Sequence, residues 1–283
     1  MGIGKRAWQV AGAAAGGASL FGGGVAIGRL LRLDSQRGDY CRSWENHNLA
    51  TLERLRQLDE HPEGERPYLI VSLGDSSVQG MGASRVTESY PARLASAITQ
   101  QMDREVLLLN LSLSGATIES VELTQLPQMR GLGLLDGPYR PDLVTLTIGG
   151  NDVMAEDMAP GQFEERLRRI LAALPSGALV STIPSFGIMP QESRAQDMSD
   201  RIRAAVEDSD AHLVYLRSLT QEYSLPTYTF AYHAADFFHP NSAAYAKWAQ
   251  LFADAWAESR REPAPVVEDA PQWDMLSARV AQS

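Results

Sequence analysis

The sequence has little cysteine and comparatively little positive charge. Among its 283 residues Cys41 is the only cysteine, so an intramolecular disulfide and a cysteine-based structural zinc site are both excluded. Its 25 lysines and arginines are outnumbered by 35 aspartates and glutamates, which gives a formal net charge of −10. An acidic surface repels phosphate backbones and the part of the chain predicted to fold has no basic patch, so we expect no nucleic-acid partner.

Signatures of several other enzyme classes are also missing. The chain has no Gly-x-Ser-x-Gly motif, the nucleophile elbow of ordinary α/β-hydrolases. It has no Gly-rich phosphate loop, since Gly131 and Gly133 do not complete a dinucleotide fingerprint. No spacing of histidines and carboxylates is typical of a metal site. We therefore expect neither a cofactor nor a metal ion.

The N-terminal region contains a long stretch without charge. Residues 7–28 carry no charged side chain and are mostly alanine and glycine. The length suits a membrane span of about 20 residues. Lys5 and Arg6 precede the stretch, and a basic start before an apolar run is how most exported chains begin. We therefore expect residues 1–33 to be a signal or membrane-anchor segment, with the protein exported or held at a membrane through residues 7–28.

Other interpretations of this segment stay open. A small-x-small sequence at Gly24-Val25-Ala26 fits a cleaved signal peptide, whereas the scarcity of large apolar side chains fits a flexible leader without a membrane role. By the positive-inside rule, the basic residues after the stretch would keep the following domain in the cytoplasm. The basic residues after the stretch are Arg29, Arg32, Arg37 and Arg42, and they outnumber Lys5 and Arg6 before it.

The middle of the chain alternates between two kinds of periodicity. Five short apolar runs indicate strands covered on both faces, at residues 68–73, 106–111, 143–148, 178–183 and 213–216. Helical patterns follow them, at residues 89–102, 163–174, 193–208 and 242–257. The alternation predicts one doubly wound, flavodoxin-like α/β domain with a five-stranded parallel sheet.

Composition also predicts where this domain begins and ends. We place it at residues 67–259. Residues 34–66 end in a polar, proline-containing segment and are interpreted as a lead-in or linker. Residues 260–283 are rich in proline and charge, which favours a flexible tail.

Three short polar motifs follow the first three predicted strands. Ser76 lies in a GDS tripeptide, where it could be a nucleophile or a serine that caps a turn. Gly115 follows the second strand, and a glycine can bring its backbone N–H close to a ligand. Asn151 lies in a GGND sequence and could donate a side-chain N–H into a pocket. Each motif alone also fits an ordinary turn.

A fourth motif, Asp236 with His239, directly precedes the last helix. The three-residue spacing lets the carboxylate hydrogen-bond one imidazole nitrogen while the other faces a nucleophile. Both residues could instead be structural, and His233 is an alternative base. Because this fold binds ligands at the carboxyl ends of its strands, the four motifs together supply the nucleophile, base, orienting carboxylate and oxyanion donors of acyl transfer.

The order of these blocks resembles that of the SGNH hydrolases, also called the GDSL esterase/lipase family. The resemblance covers roughly residues 68–257. It includes Gly80, four residues after Ser76, and it departs from the family motif at Ser77, a position that varies within the family. It implies the SGNH-hydrolase form of the doubly wound fold.

The resemblance also implies roles for the motif residues. Ser76 would be the acylated nucleophile, with His239 as its base and Asp236 orienting the imidazole. The oxyanion hole would consist of the Ser76 N–H, the Gly115 N–H and the Asn151 side chain.

We therefore predict a serine carboxylester hydrolase that acts on a small-molecule, lipid or carbohydrate ester. One alternative is an acyltransferase with the same triad. Another is a non-catalytic ligand-binding module, and a third is a flavodoxin-like nucleotide or phosphate binder, which the missing Gly-rich loop disfavours. The aromatic loop before the last helix could form a substrate pocket or pack as core; it contains Tyr223, Tyr228, Phe230, Tyr232, Phe237 and Phe238.

Overall fold

The computed structural model describes most of the chain. It covers residues 23–60, 65–155, 157–224, 226–234, 236 and 238–276, with the backbone alone for residues 23–35, 229 and 230. The expected signal or anchor segment therefore lies mainly outside the described residues. Of the helices that are described, none has the length and apolar character needed to cross a bilayer.

A five-stranded sheet forms the centre of the molecule. Its strands are β1 (Tyr68–Gly74), β2 (Val106–Asn110), β3 (Leu143–Thr147), β4 (Leu179–Ser181) and β5 (His212–Val214). They lie in the order β2-β1-β3-β4-β5, and every neighbouring pair is parallel. The predicted doubly wound fold is thereby confirmed. The chain reverses its direction across the sheet at β1, where such folds bind their ligands.

Helices surround this sheet and fill both of its faces. They are α1 (Gly23–Glu60), α2 (Tyr90–Met102), α3 (Ile118–Ser120), α4 (Leu126–Gly131), α5 (Gly150–Ala155), α6 (Pro160–Ala173), α7 (Glu192–Glu207), α8 (Leu216–Gln221) and α9 (Ser242–Arg260). Short 3-10 turns occur at Val86–Glu88 and Val267–Asp269, and π-helical turns at Val121–Gln125 and Thr227–Tyr232.

Alternate strand residues feed two separate hydrophobic cores. In β1, Leu69, Val71 and Leu73 pack with α6 and α7, whereas Tyr68 and Ile70 pack on the opposite face with α2 and α9. All five side chains are buried. Since complete burial of one such side chain contributes about 1.5–3 kcal/mol, the near-continuous apolar strands hold both helical layers in place.

The segment expected to be a linker is largely helical. Helix α1 continues to Glu60 and lies along the edge strand β2. Its buried positions follow a helical spacing of three or four residues: Tyr40, Trp44, His47, Thr51 and Leu55. Several of these side chains are polar or amphipathic, so the apolar stripe is interrupted and hydrophobicity alone does not predict the helix.

The expected flexible tail also differs from the structure, at least as far as residue 276. Val267, Trp273 and Met275 are buried against the core that contains α2 and α9. Ser96 of α2 also donates a hydrogen bond of 2.5 Å to the Pro271 carbonyl. The tail is rich in proline and charge overall, but its few apolar side chains pack against the core and hold the segment in place.

Candidate active site

The candidate site lies at the carboxyl end of β1, beside β3. Gly74 ends β1 with φ of 140°, and a Cβ atom at this position would collide with the Thr147 carbonyl oxygen. Glycine is therefore required for the chain to turn this close to β3. Two residues later, Ser76 is almost buried, with a relative exposure of 9%.

A chain of hydrogen bonds brings Ser76, His239 and Asp236 together. The Ser76 Oγ lies 2.9 Å from His239 Nε2. On the other side of the ring, His239 Nδ1 lies 2.5 Å from Asp236 Oδ2. A carboxylate partner assigns the proton to Nδ1, so Nε2 is left to accept the serine hydroxyl proton. This is the geometry that activates a hydroxyl nucleophile.

Asp236 is fixed by its own backbone as well as by the imidazole. Its Oδ1 accepts the N–H groups of Phe238 and His239, at 3.1 and 3.0 Å. Burial alone would raise the pKa of Asp236, but the hydrogen bonds and the charge of His239 outweigh burial and place that pKa below its ordinary value. Asp236 therefore stays ionised opposite the imidazole.

His233 occupies a different position from the expected base. Its Nδ1 donates to the Tyr228 carbonyl at 2.8 Å, and its backbone forms an antiparallel bridge with Pro240. Burial lowers the pKa of His233. The next residue, Ala234, donates its N–H to the His239 carbonyl at 2.8 Å. His233 and its neighbour thus fix the loop that presents His239.

The residues expected to form the oxyanion hole follow the carboxyl ends of three neighbouring strands, β1, β2 and β3. Gly115 is exposed and has a φ of 79°, a conformation that glycine adopts without strain. Within the described part of the chain, the backbone N–H groups of Ser76 and Gly115 have no hydrogen-bond partner. Asn151, in the first turn of α5, donates one side-chain N–H to the Ala116 carbonyl at 2.8 Å. The amide has a second N–H for another acceptor.

Two buried carboxylates stand next to these groups in the sequence, and sequence reasoning gave neither of them a role. Both oxygens of Asp152 accept the Ile118 N–H, each at 3.1 Å, so Asp152 holds the chain just beyond Gly115. Asp75 accepts the N–H and the hydroxyl of Ser77, at 2.9 and 2.7 Å. The signal was present, since each aspartate stands directly beside a motif residue, Ser76 or Asn151.

Burial raises the pKa of both carboxylates. The pKa of Asp152 is raised to about 7, chiefly by burial and further by the negative charge of Asp75, against the Ile118 hydrogen bond. Burial likewise raises the pKa of Asp75. Asp75 and Asp152 therefore do not readily carry full negative charges at the same time.

The aromatic loop packs largely as core. Tyr232 is buried, and its ring lies against those of Tyr223 and Tyr228 at centroid distances of 5.3 and 5.4 Å. Phe238 is different, with 40% of its surface exposed and its ring perpendicular to that of His239 at 5.0 Å. Of the described aromatic side chains, Phe238 is thus the one beside the imidazole. Phe237 and the side chain of Phe230 lie outside the described residues.

Comparison with protein families gives one match that covers more than half of the chain. The model of the GDSL-like lipase/acylhydrolase family matches residues 72–247. This range contains Ser76, Gly115, Asn151, Asp236 and His239. A search of curated protein sequences gives no match.

Several solved structures share the fold. LAE5, an α/β hydrolase enzyme from the metagenome of Lake Arreo in Spain, is 23% identical with a TM-score of 0.53, over 69% of this chain and 97% of that chain. Axe2, an acetylxylan esterase from Geobacillus stearothermophilus, is 17% identical with a TM-score of 0.51, over 67% and 94%. TesA is 20% identical with a TM-score of 0.52, over 66% and 97%. At these identities the likeness shows the fold.

The raised pKa of Asp152 predicts a pH-dependent effect of Asp152→Asn. The ordinary pKa is 3.8 and the folded value is about 7, so the folded state binds this proton more tightly than the unfolded state. The wild type therefore loses stability as the pH rises through that range, whereas asparagine accepts from Ile118 without titrating. Between pH 5 and pH 8, we expect the stability of the variant relative to wild type to rise by on the order of 2 kcal/mol.

Urea denaturation at the two pH values measures this change. Asp136→Asn, at an exposed position, serves as the matched control. An equal offset between the Asp152 variant and wild type at both pH values would show that burial does not perturb this carboxyl.

Proposed function

Because the chain belongs to the GDSL-like lipase/acylhydrolase family and is an ester-hydrolysing enzyme, we propose that it is a serine carboxylester hydrolase working through an acyl-enzyme on Ser76. The observation that carries the proposal is the hydrogen-bond chain from Ser76 Oγ through the His239 imidazole to Asp236, at 2.9 and 2.5 Å.

In the first step, Ser76 Oγ attacks the ester carbonyl carbon while His239 Nε2 takes the hydroxyl proton. The imidazole becomes an imidazolium, and the ionised Asp236 stabilises that charge through Nδ1–H. The low pKa of Asp236 supports this role, because the carboxylate orients the ring without taking the proton.

The carbonyl oxygen becomes an oxyanion in this step, and the N–H groups of Ser76 and Gly115 and the second N–H of Asn151 stabilise it. Support comes from the lack of any partner for the two backbone N–H groups within the described residues. Donors that are already oriented stabilise developing charge without reorganising during the reaction.

Collapse of the tetrahedral intermediate breaks the ester C–O bond, and His239 returns its proton to the leaving alcohol. Water then attacks the acyl-Ser76 ester, with Nε2 taking a water proton. The second intermediate expels Ser76 Oγ, which recovers its proton from the imidazolium and releases the carboxylic acid.

Covalent labelling tests the nucleophile. A fluorophosphonate probe is expected to add one covalent mass to the peptide that carries Ser76, because the Ser76 hydroxyl is hydrogen-bonded to the His239 imidazole. Ser76→Ala should lose both the labelling and the hydrolysis of p-nitrophenyl esters of increasing chain length. Ser77→Ala is the matched control, because the Ser77 hydroxyl is next in the sequence but donates to Asp75 and not to the imidazole. Labelling that persists in Ser76→Ala would assign the nucleophile elsewhere.

The roles of Asp236 and His239 predict strongly non-additive losses. Asp236→Asn keeps the size of the side chain but favours the wrong imidazole tautomer, and we expect kcat to fall by on the order of 10²–10³. His239→Ala should cost at least as much, and the double variant should lose little more than the worse single one. The measurement is kcat on one good ester for all three variants. Losses that multiply, or near wild-type kcat in Asp236→Asn, would contradict the pairing.

We further propose that the protein is exported and retained at a membrane through residues 7–28. Support comes from the sequence, in which Lys5 and Arg6 precede an uncharged stretch long enough for a span. The full chain should appear in the membrane pellet of fractionated cells, and a variant lacking residues 1–33 should be released in active form. Recovery of the full chain entirely in the cytosol would instead favour a leader without a membrane role.

A further inference from the structure

Helix α1 lies before the segment that matches the family, yet its side chains contact both loops of the candidate site. We define the nucleophile loop as residues 74–83 and the oxyanion loop as residues 110–116. We propose that residues 36–48 of α1 are a positioning element of the active site, which sets the spacing of these two loops through Gln79. The inference rests on the proposed function, because it concerns the groups assigned there to catalysis.

Three side chains of α1 hold the nucleophile loop. Gln36 donates to the Ala83 carbonyl at 2.8 Å and accepts the Gly82 N–H at 3.2 Å. Tyr40 donates its hydroxyl to the same Ala83 carbonyl at 2.9 Å. Trp44, which is 2% exposed, donates its indole N–H to the Gln79 carbonyl at 3.0 Å. The loop is thus bonded through its backbone, so these contacts fix the path of the chain.

A fourth side chain, Asn48, holds the start of the oxyanion loop. Its amide donates to the Asn110 carbonyl at 2.7 Å and accepts the Asn110 N–H at 3.0 Å. These are backbone groups of β2, which is an edge strand of the sheet formed by the described residues. One face of α1 therefore holds the two loops at once.

Gln79 connects the two loops directly. Its side chain is buried, with 4% exposure, and its Nε2 donates to the Ser112 carbonyl at 2.9 Å. Its Oε1 accepts the Ser114 hydroxyl at 2.5 Å, and the Cys41 thiol of α1 lies 3.7 Å from the same oxygen. Gln79 therefore contacts α1 through its backbone carbonyl and its side-chain oxygen, and its side chain also bonds to the oxyanion loop.

This connection matters because the proposed oxyanion donors lie on different loops. The N–H of Ser76 belongs to the nucleophile loop and that of Gly115 to the oxyanion loop. Close to the strand ends the loops are also joined by two hydrogen bonds, from the Leu113 N–H to the Gly74 carbonyl at 3.1 Å and from the Asn110 side-chain amide to the Val78 carbonyl at 3.0 Å. Gln79 adds hydrogen bonds to Ser112 and to Ser114, the residue directly before Gly115. An error of about 1 Å in such a geometry can cost on the order of 10² in rate.

Two substitutions in the full chain test the inference, with a control from the same helix. Gln79→Met keeps the length of the side chain but removes both polar ends, and Trp44→Phe removes the indole donor while keeping an aromatic ring. Thr51→Val is the control: Thr51 is buried on α1 and donates to the Leu108 carbonyl at 3.4 Å, within β2 and away from both loops. Ser76→Ala is measured in the same series.

The readouts are kcat and KM on one p-nitrophenyl ester, the inhibition constant of a trifluoromethyl ketone and the melting temperature. We expect kcat to fall by about 10²-fold in Gln79→Met and about 10-fold in Trp44→Phe, with KM changed less than about threefold. The ketone forms a tetrahedral adduct with an anionic oxygen, so its inhibition constant should rise in parallel with the loss of kcat/KM. Thr51→Val should keep kcat within about twofold of wild type, even if its melting temperature falls as far as those of Gln79→Met and Trp44→Phe.

Comparison of the variants separates the role of α1 from the proposed role of Ser76. If Ser76→Ala is inactive but Gln79→Met and Trp44→Phe keep the kcat and ketone affinity of Thr51→Val, α1 is only a structural support and the proposed function stands. A lower melting temperature in these two variants, with kcat and ketone affinity unchanged, would likewise show that α1 is only a structural support. Retained activity in Ser76→Ala overturns both the proposed function and this inference.

Discussion

The hydrogen bond between Ser76 and His239 is the constraint on which the site depends, because it joins residues 163 positions apart in the sequence. Two further contacts hold the segments in which they lie. The Tyr245 hydroxyl of α9 donates to the Met81 carbonyl at 2.8 Å, and the Ser242 hydroxyl accepts the Ser84 N–H at 2.9 Å. Packing of α9 against α2 and the sheet thereby sets the position of the imidazole relative to β1.

The environment of this hydrogen bond is acidic on more than one side. Asp236 contacts the imidazole, whereas Asp75 and Asp152 are buried, and in the sequence Asp75 directly precedes Ser76 and Asp152 directly follows Asn151. Asp236 has a depressed pKa because hydrogen bonds and the imidazole favour its charge, and the two others have raised pKa values because burial disfavours theirs. The three carboxyl groups therefore differ by environment, and the one in contact with His239 keeps a full charge.

Much of the fold could be predicted from the sequence, because its strands are covered on both faces. Buried parallel strands require continuous apolar residues, and those runs placed all five strands to within a few residues. The same reasoning failed for α1, where His47 and Thr51 interrupt the buried stripe. It also failed for the tail, where Trp273 and Met275 dock a segment of polar composition. Both segments are stabilised by contacts with distant residues, which local periodicity does not record.

Hydrophobic period and short motifs are local properties of the chain, so the fold class and the motif residues could be inferred without coordinates. Ser76, Gly115, Asn151, Asp236 and His239 could all be named before any distance was known. The folded arrangement was needed to establish that His239 rather than His233 contacts Ser76, that Asp152 holds the chain after Gly115, and that α1, which precedes the family segment, contacts both loops. Hydrogen bonds of about 3 Å between distant residues depend on how the layers pack, and sequence spacing cannot specify that packing.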